Sequence, residues 1–288
     1  MNILITGGLG FIGSNFYNTF KEKYPDYNLV ILDSETYAAD EENIHYNNAR
    51  IIKFSITERE RLFKLFENYK FDSVIHFAAE SHVDNSILNP MEFVQTNVIG
   101  TLNLLDASVK YGIKLFYHIS TDEVFGHLGA VGSFNEKTPY DPRSPYSASK
   151  ASSDHFVRAY YHTYNLPVII SNCSNNFGPN QHDEKLIPTV IKSILDGKDI
   201  PVYGNGQNVR DWLYVQDHVD AIDMIFHRGK VGETYCIGGG YELTNLKLTK
   251  IICDKIDELK ITYYYPLNEN EILLFSGGTR TIIQANNN

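Results

Sequence analysis

A short apolar run that breaks into glycines and resumes as a helix leaves a chain few folds to choose from. Asn2-Ile-Leu-Ile-Thr6 is such a run, Gly7-Gly-Leu-Gly10-Phe-Ile-Gly13 follows at once, and a helical pattern holds from Phe11 to Lys23. Glycine lets the backbone turn tightly and approach a pyrophosphate, while the helix N-terminus supplies N–H donors and positive potential. A second apolar run, Leu29 to Asp33, ends in a carboxylate about 20 residues on, the spacing of a ribose ligand. A carboxylate there accepts from both ribose hydroxyls and repels a 2′-phosphate, which favours NAD over NADP. The competing reading is a purely structural glycine turn with Asp33 acting like a cap.

The alternation continues along the chain. Apolar strands are expected at Ile51–Ser55, Ser73–Phe77, Lys114–Ser120 and Val168–Asn172, with helices at 59–69, 91–111 and 146–164 between them. Pro90 stands at the start of the 91–111 helix, Pro145 before the 146–164 helix, and Gly112 serves as a C-cap. Continuous apolar strands separated by helices mean a parallel sheet covered on both faces, a doubly wound α/β fold. After Asn172 the regularity breaks. Asn175-Asn-Phe-Gly-Pro-Asn-Gln-His182 is loop chemistry, followed by helices near 187–196, 216–226 and 246–259 and a strand and turn at 201–206. This places a dinucleotide-type domain at 1–172, with contributions from 207–240. A smaller, interleaved α+β lobe falls mainly in 173–288, and the Asn286–Asn288 tail is expected to be unstructured.

Bulk properties narrow the partners. The chain has 288 residues, 43% hydrophobic and 21% charged, which suits one large lobe and one smaller. A formal charge of −10 argues against nucleic acid or an anionic membrane, while a helix N-terminus still holds a small anionic ligand. Three scattered cysteines (Cys173, Cys236, Cys253) without a CxxC pair point to free thiols in a reducing compartment. The histidines lack metal-ligand spacing, and no stretch approaches a membrane span. A soluble, cytosolic protein with no metal is expected.

Two further features carry chemistry. Thr121-Asp122-Glu123 closes the Lys114–Ser120 strand, at the carboxyl end where α/β folds keep their ligands. In isolation such an acid pair is a solvated strand-end turn. Tyr146 and Lys150 lie four apart on one helix and share a face. A lysine ammonium beside a phenol favours the phenolate and lowers its pKa from about 10, giving a base for a sugar hydroxyl. Alone, the pair also fits a packed tyrosine and an exposed lysine.

These residues resemble the NAD-dependent nucleotide-sugar 4,6-dehydratases of the extended short-chain dehydrogenase/reductase superfamily. The matching segments are Thr6–Ser14, Phe77-Ala-Ala-Glu-Ser-His-Val-Asp84, Thr96-Asn-Val-Ile-Gly-Thr101, Ser120-Thr-Asp-Glu-Val-Phe-Gly126, Tyr146-Ser-Ala-Ser-Lys150, Asn175–His182, Lys185-Leu-Ile-Pro188 and Arg210–His218. Related 4-epimerases and decarboxylases look similar in the glycine loop and the Tyr-Lys pair but lack the acid pair. The resemblance implies a Rossmann fold, bound NAD and a nucleotide-diphosphate glucose (dTDP- or UDP-glucose) converted to its 4-keto-6-deoxy derivative, in rhamnose-type deoxysugar synthesis. It assigns catalysis to Thr121, Asp122, Glu123, Tyr146 and Lys150. It assigns cofactor binding to Gly7, Gly10, Phe11, Ile12, Gly13, Asp33, Ile56, Ala78, Thr96, Tyr146 and Lys150. Ser81, Asn175, Lys185, Leu186, Pro201, Tyr203, Arg210 and Asn245 are the implied substrate contacts, and His82 stands beside them as a ligand or a structural histidine. Arg210 also fits an ion pair with Asp211 or Asp217. The two long helices resemble the pair that forms the dimer interface in this superfamily, so the resemblance implies a homodimer.

The chain departs from the pattern in three places. Phe54-Ser-Ile-Thr57 lacks the acid usual beside the adenine, Phe125 replaces a tyrosine, and the segment from Ile261 lacks the family's Arg-Pro-Gly-His-Asp-like continuation, as truncation or a shifted frame would leave it. Two other readings therefore stand beside the dehydratase: a 4-epimerase or decarboxylase, and an inactive sugar-nucleotide-binding module.

Overall fold

The computed structural model describes residues 1–129, 131–264 and 282–285. The expected unstructured tail at 286–288 and most of the divergent segment after Ile261 lie outside the described residues. Two compact units emerge: Met1–Asn180 with Leu213–Gly239, and Gln181–Trp212 with the described residues from Gly240 on.

The first unit is a seven-stranded parallel sheet. Its strands are β1 (Asn2–Thr6), β2 (Asn28–Asp33), β3 (Arg50–Lys53), β4 (Ser73–His76), β5 (Leu115–Thr121) and β6 (Val168–Cys173), with Thr234–Ile237 at the edge. Spatial order runs from Thr234–Ile237 through β6, β5, β4, β1 and β2 to β3, every pair parallel. The sequence reading lacked the seventh strand, because Thr-Tyr-Cys-Ile is short and follows a glycine-containing turn. The order reverses between β1 and β4, and ligands of open α/β sheets bind at such a switch point.

Both faces of the sheet are buried, which explains the unbroken apolar runs. Strand residues alternate in direction, so Ile3, Ile5, Leu29 and Ile31 join Phe16, Phe20 and Phe226 on one face. Leu4, Val30 and Leu32 join Phe66, Leu104 and Val157 on the other.

Two helices need comment. Pro145–Tyr164 opens on a reciprocal cap: Ser147 N donates to Ser144 Oγ (3.0 Å), and Ser144 N donates to Ser147 Oγ (2.9 Å). The expected 91–111 helix is continuous from Pro90 to Tyr111, but Val94–Gly100 is wound as a π-helix between α-helical Pro90–Phe93 and Thr101–Tyr111. Such segments widen a helix locally and concentrate at functional sites.

The second unit is built from helix Leu186–Leu195, helix Asn245–Tyr264 and short strands. Val190, Ile194 and Ile200 form its core with Ile252 and Ile256. Ile200–Tyr203 pairs in parallel with Ile282–Ala285, and Val209–Thr244 with Asp211–Glu242 bound an antiparallel pairing. Among the described residues, no helix is long and apolar enough to cross a membrane.

Candidate active site

The glycine turn is held by geometry that only glycine satisfies. Gly7 has φ +70, and a Cβ there would lie 2.5 Å from the Ala78 nitrogen at the end of β4. At Gly13 a Cβ would lie 2.2 Å from the Gly7 carbonyl, so the helix packs directly on the turn. Gly10 caps the helix, and only the Gly7 carbonyl, at 3.5 Å, would face its Cβ. Phe11 and Ile12 are half-buried in the first helical turn. The turn is thus an open cradle of backbone N–H groups at a helix N-terminus, which fits a pyrophosphate.

Asp33 closes β2 beside this turn. One oxygen accepts from Leu9 N (3.0 Å) and the other from Glu35 N (3.0 Å). Burial pushes its carboxyl up, against the backbone donors. Each oxygen keeps a further lone pair for a ribose hydroxyl, so the same side chain shapes the loop and presents an acceptor.

The loop after β4 is tied to the π-helix. Glu80 N donates to Asn97 Oδ1 (2.9 Å), and Asn97 Nδ2 donates to the Glu80 carbonyl (3.0 Å) and to Ser149 Oγ (2.8 Å). The Asn97 carbonyl takes both Thr101 Oγ1 (2.5 Å) and Ser153 Oγ (2.6 Å). One residue therefore joins three elements. Thr96, beside it, is half-buried, and Ser81 is exposed. His82 caps helix Val83–Leu88, accepting from Asn85 N at 3.3 Å. Ile56 is 4% exposed and packs on Gly100, a core contact that the adenine-lining expectation did not include.

Thr121 ends β5, and Asp122 and Glu123 open the 3₁₀ turn Asp122–Phe125. Thr121 Oγ1 accepts from Glu123 N (3.2 Å), which fixes the turn. Gly126, at φ +86, then brings the chain against the Asp141 backbone, where a Cβ would meet the carbonyl at 2.3 Å. Tyr146 and Lys150, on the capped helix, are 9% and 4% exposed. Burial first, then Glu123, raises the Tyr146 phenol well above its ordinary value, and a hydrogen bond with Thr121 opposes this. The expected lowering by Lys150 is not what the geometry gives: the Lys150 Nζ donates to the Ile119 carbonyl (2.9 Å), and burial lowers its own pKa. Thr121, Asp122 and Glu123 all act on the buried Tyr146 phenol, and Lys150 stands one turn along the same helix.

The remaining candidates divide between the units. Asn175 is half-buried in the short strand Asn175–Phe177. Its loop is anchored on the glycine helix: Asn15 Nδ2 donates to the Pro179 carbonyl (2.9 Å), and Asn180 Nδ2 donates to Ser14 Oγ (3.2 Å). In the second unit, Lys185 caps helix Leu186–Leu195 and lies 3.7 Å from Glu184. Pro201 and Tyr203 lie in strand Ile200–Tyr203, and Arg210 pairs in register with Leu243. Asn245 begins its helix with a buried Oδ1 that accepts no hydrogen bond among the described residues, an acceptor suited to a polar ligand.

A doubly wound sheet with a glycine cradle at its switch point, and a Tyr-Lys helix beside the next strand end, defines the extended short-chain dehydrogenase/reductase class. The family model described as GDP-mannose 4,6 dehydratase matches residues 4–271, and the chain belongs to that family. A dTDP-glucose 4,6-dehydratase of Haemophilus influenzae is 47% identical over 273 residues, 90% of this chain and 80% of that one. A crystal structure of dTDP-glucose 4,6-dehydratase from Bacillus anthracis in complex with NAD superposes with a TM-score of 0.83 at 45% identity, covering 89% of this chain and 81% of that one. The Thermotoga maritima UDP-glucose 4-epimerase solved with UDP-glucose also gives 0.83, at 31% identity, over 88% and 82%. Backbone likeness therefore does not separate dehydratase from epimerase, and the difference must reside in side chains.

Proposed function

We propose that this chain is an NAD-dependent dTDP-glucose 4,6-dehydratase. The observation that carries this reading is the acid pair Asp122-Glu123, close enough to Tyr146 to perturb its phenol. An epimerase needs only the tyrosine side of such a site; eliminating water needs an acid and a base as well. The named dTDP-glucose relatives favour that nucleotide over UDP.

When bound, NAD would supply a hydride acceptor for sugar carbon 4 and, once reduced, a hydride donor for carbon 6. Gly7, Gly10, Phe11, Ile12 and Gly13 hold the pyrophosphate, Asp33 the ribose, and Ile56, Ala78 and Thr96 line the remainder. Tyr146, hydrogen-bonded with Thr121 and one helical turn from Lys150, takes the proton of the 4-hydroxyl as its tyrosinate. The resulting 4-ketone acidifies carbon 5, whose proton Glu123 removes. Asp122 protonates the departing 6-hydroxyl, the carbon–oxygen bond breaks, and water leaves. Glu123 then returns its proton to carbon 5. Two neighbouring carboxyls of like charge favour the opposite protonation states these roles require.

Ser81 and Asn175 are the proposed sugar contacts. Lys185, Leu186, Pro201, Tyr203, Arg210 and Asn245 are the proposed nucleotide contacts, with the Arg210 guanidinium suited to a diphosphate. A homodimer is supported by apolar side chains exposed along the two long helices: Met91, Val94, Ile99 and Phe156. The product fits a rhamnose-type deoxysugar route in the cytoplasm. Incubation with dTDP-glucose and, separately, UDP-glucose tests the assignment. A 4-keto-6-deoxy product from the first at the higher kcat/KM is expected, whereas a carbon-4 epimer from either overturns it.

A further inference from the structure

Asp154 takes no part in the steps above, yet it is 0% exposed in the middle of the first unit. It lies one turn beyond Lys150 on the Pro145–Tyr164 helix. Its Oδ2 accepts from Tyr140 OH (2.7 Å), Ser120 Oγ (2.9 Å) and Asn172 Nδ2 (3.2 Å). Its Oδ1 lies 3.1 Å from His118 Nε2. Burial alone would protonate such a carboxyl, but His118 first, then Lys150 and the Tyr140 hydroxyl, outweigh it and hold Asp154 below its ordinary range.

Two of these contacts lead to catalytic groups. Asn172 Nδ2 also donates to the Thr121 carbonyl (3.0 Å), and Ser120 is the residue before Thr121, so Asp154 clamps the strand end that carries the acid pair. Lys150 is reached by charge rather than by contact, one turn back on the same helix. Burial lowers its pKa, and Asp154 is the foremost group opposing that. The remaining titratable neighbours carry little compensating charge. His118 on β5 and His76 on β4 are kept neutral by burial, and Cys173 on β6 is pushed up to about 12. Arg158, on the same helix, donates to Tyr140 OH (2.8 Å). Asp122 and Glu123 act on Tyr146.

We propose that Asp154 is a positioning residue that keeps Lys150 in its ammonium form and seats Thr121, and through both orients Tyr146 for proton transfer. This role rests on the dehydratase reading only in naming the proton concerned. A neutral Lys150 would remove the positive charge one helical turn from Tyr146, so the carboxylate one turn further on matters to the base without touching it.

The test reads Lys150 directly. Asp154→Asn keeps the shape and removes the charge. The Lys150 titration, followed by carbon-13 NMR of labelled lysine and assigned with Lys150→Met, is expected to move to lower pH by about one unit. In turnover, the alkaline limb of kcat should move the same way, with kcat reduced about tenfold and KM within about twofold. Ser120→Ala removes one hydrogen bond but no charge and should leave the Lys150 titration in place. An unmoved Lys150 in Asp154→Asn, or an equal shift in Ser120→Ala, overturns the proposal. Should Asp154→Asn not fold, a Lys150 already neutral at pH 7 in the wild type overturns it as well. A wild type that makes no product while Lys150 shifts as expected places the error in the proposed function instead.

Discussion

At Glu123 the account is most exposed to a single substitution. Glu123→Gln keeps the side chain's size and its place in the Asp122–Phe125 turn but removes the base. Turnover should fall by about 10² to 10⁴, with NAD content unchanged; measured product formation equal to wild type contradicts the assignment. Gly13 gives a second expectation. A methyl group there would sit 2.2 Å from the Gly7 carbonyl, so Gly13→Ala should cost roughly 1–3 kcal/mol in denaturant unfolding and weaken NAD binding; full stability would mean the turn is looser than described. Gly7, Asp33, Tyr146 and Lys150 could all be read from sequence because their spacing encodes their geometry. Asp154 and Asn97 were not recognised as functional. Asp154 does stand four residues after Lys150, so a helical face carrying Tyr146, Lys150 and Asp154 was a signal available in the sequence. The Asn97 bonds reach across 17 and 52 residues, and nothing local announces them.

Among the elements, the helix bearing Tyr146 and Lys150 depends on its start. Ser144→Ala removes the reciprocal cap with Ser147 and should cost about 1 kcal/mol of stability, read from the denaturant midpoint; no change would show the helix is fixed by packing alone. Asn97→Ala should cost more, about 2–3 kcal/mol, because it removes the side-chain bonds to the half-buried Glu80 amide and carbonyl and to the buried Ser149 hydroxyl. Element types were legible where apolar periodicity ran long: the strands of the sheet and the helices Phe11–Lys23 and Arg59–Tyr69 follow from it. The π-winding of Val94–Gly100 did not, since the side-chain pattern of α and π segments differs by a fraction of a turn. Short strands such as Thr234–Ile237 also escape, because four residues carry no period and their pairing with β6 is decided by the sheet.

For the whole molecule, the buried histidines set the acid limit. His76, His118 and His218 are enclosed, and burial lowers all three, His118 to about 4 and His218 to about 3. Their folded values lie below the unfolded value of about 6.5. The unfolded chain therefore binds protons that the folded chain refuses, and stability, complete above that value, is lost as pH falls toward the folded ones. His118 and His218 each amount to about 2 kcal/mol by pH 5, about 4 together, a large part of a domain's stability, and His76 acts in the same direction. Unfolding midpoints measured at pH 7 and pH 5 should differ accordingly; equal midpoints contradict the burial of neutral imidazoles. The same sheet that encloses these rings delivers Thr121-Asp122-Glu123 to its carboxyl edge, so fold stability and site geometry share one core. The most direct measurement follows a deuterium label placed on carbon 4 of dTDP-glucose. A 4-keto-6-deoxy product with the deuterium on carbon 6 is the predicted result. A carbon-4 epimer, or a product that has lost the label to solvent, contradicts elimination by the acid pair with internal hydride return.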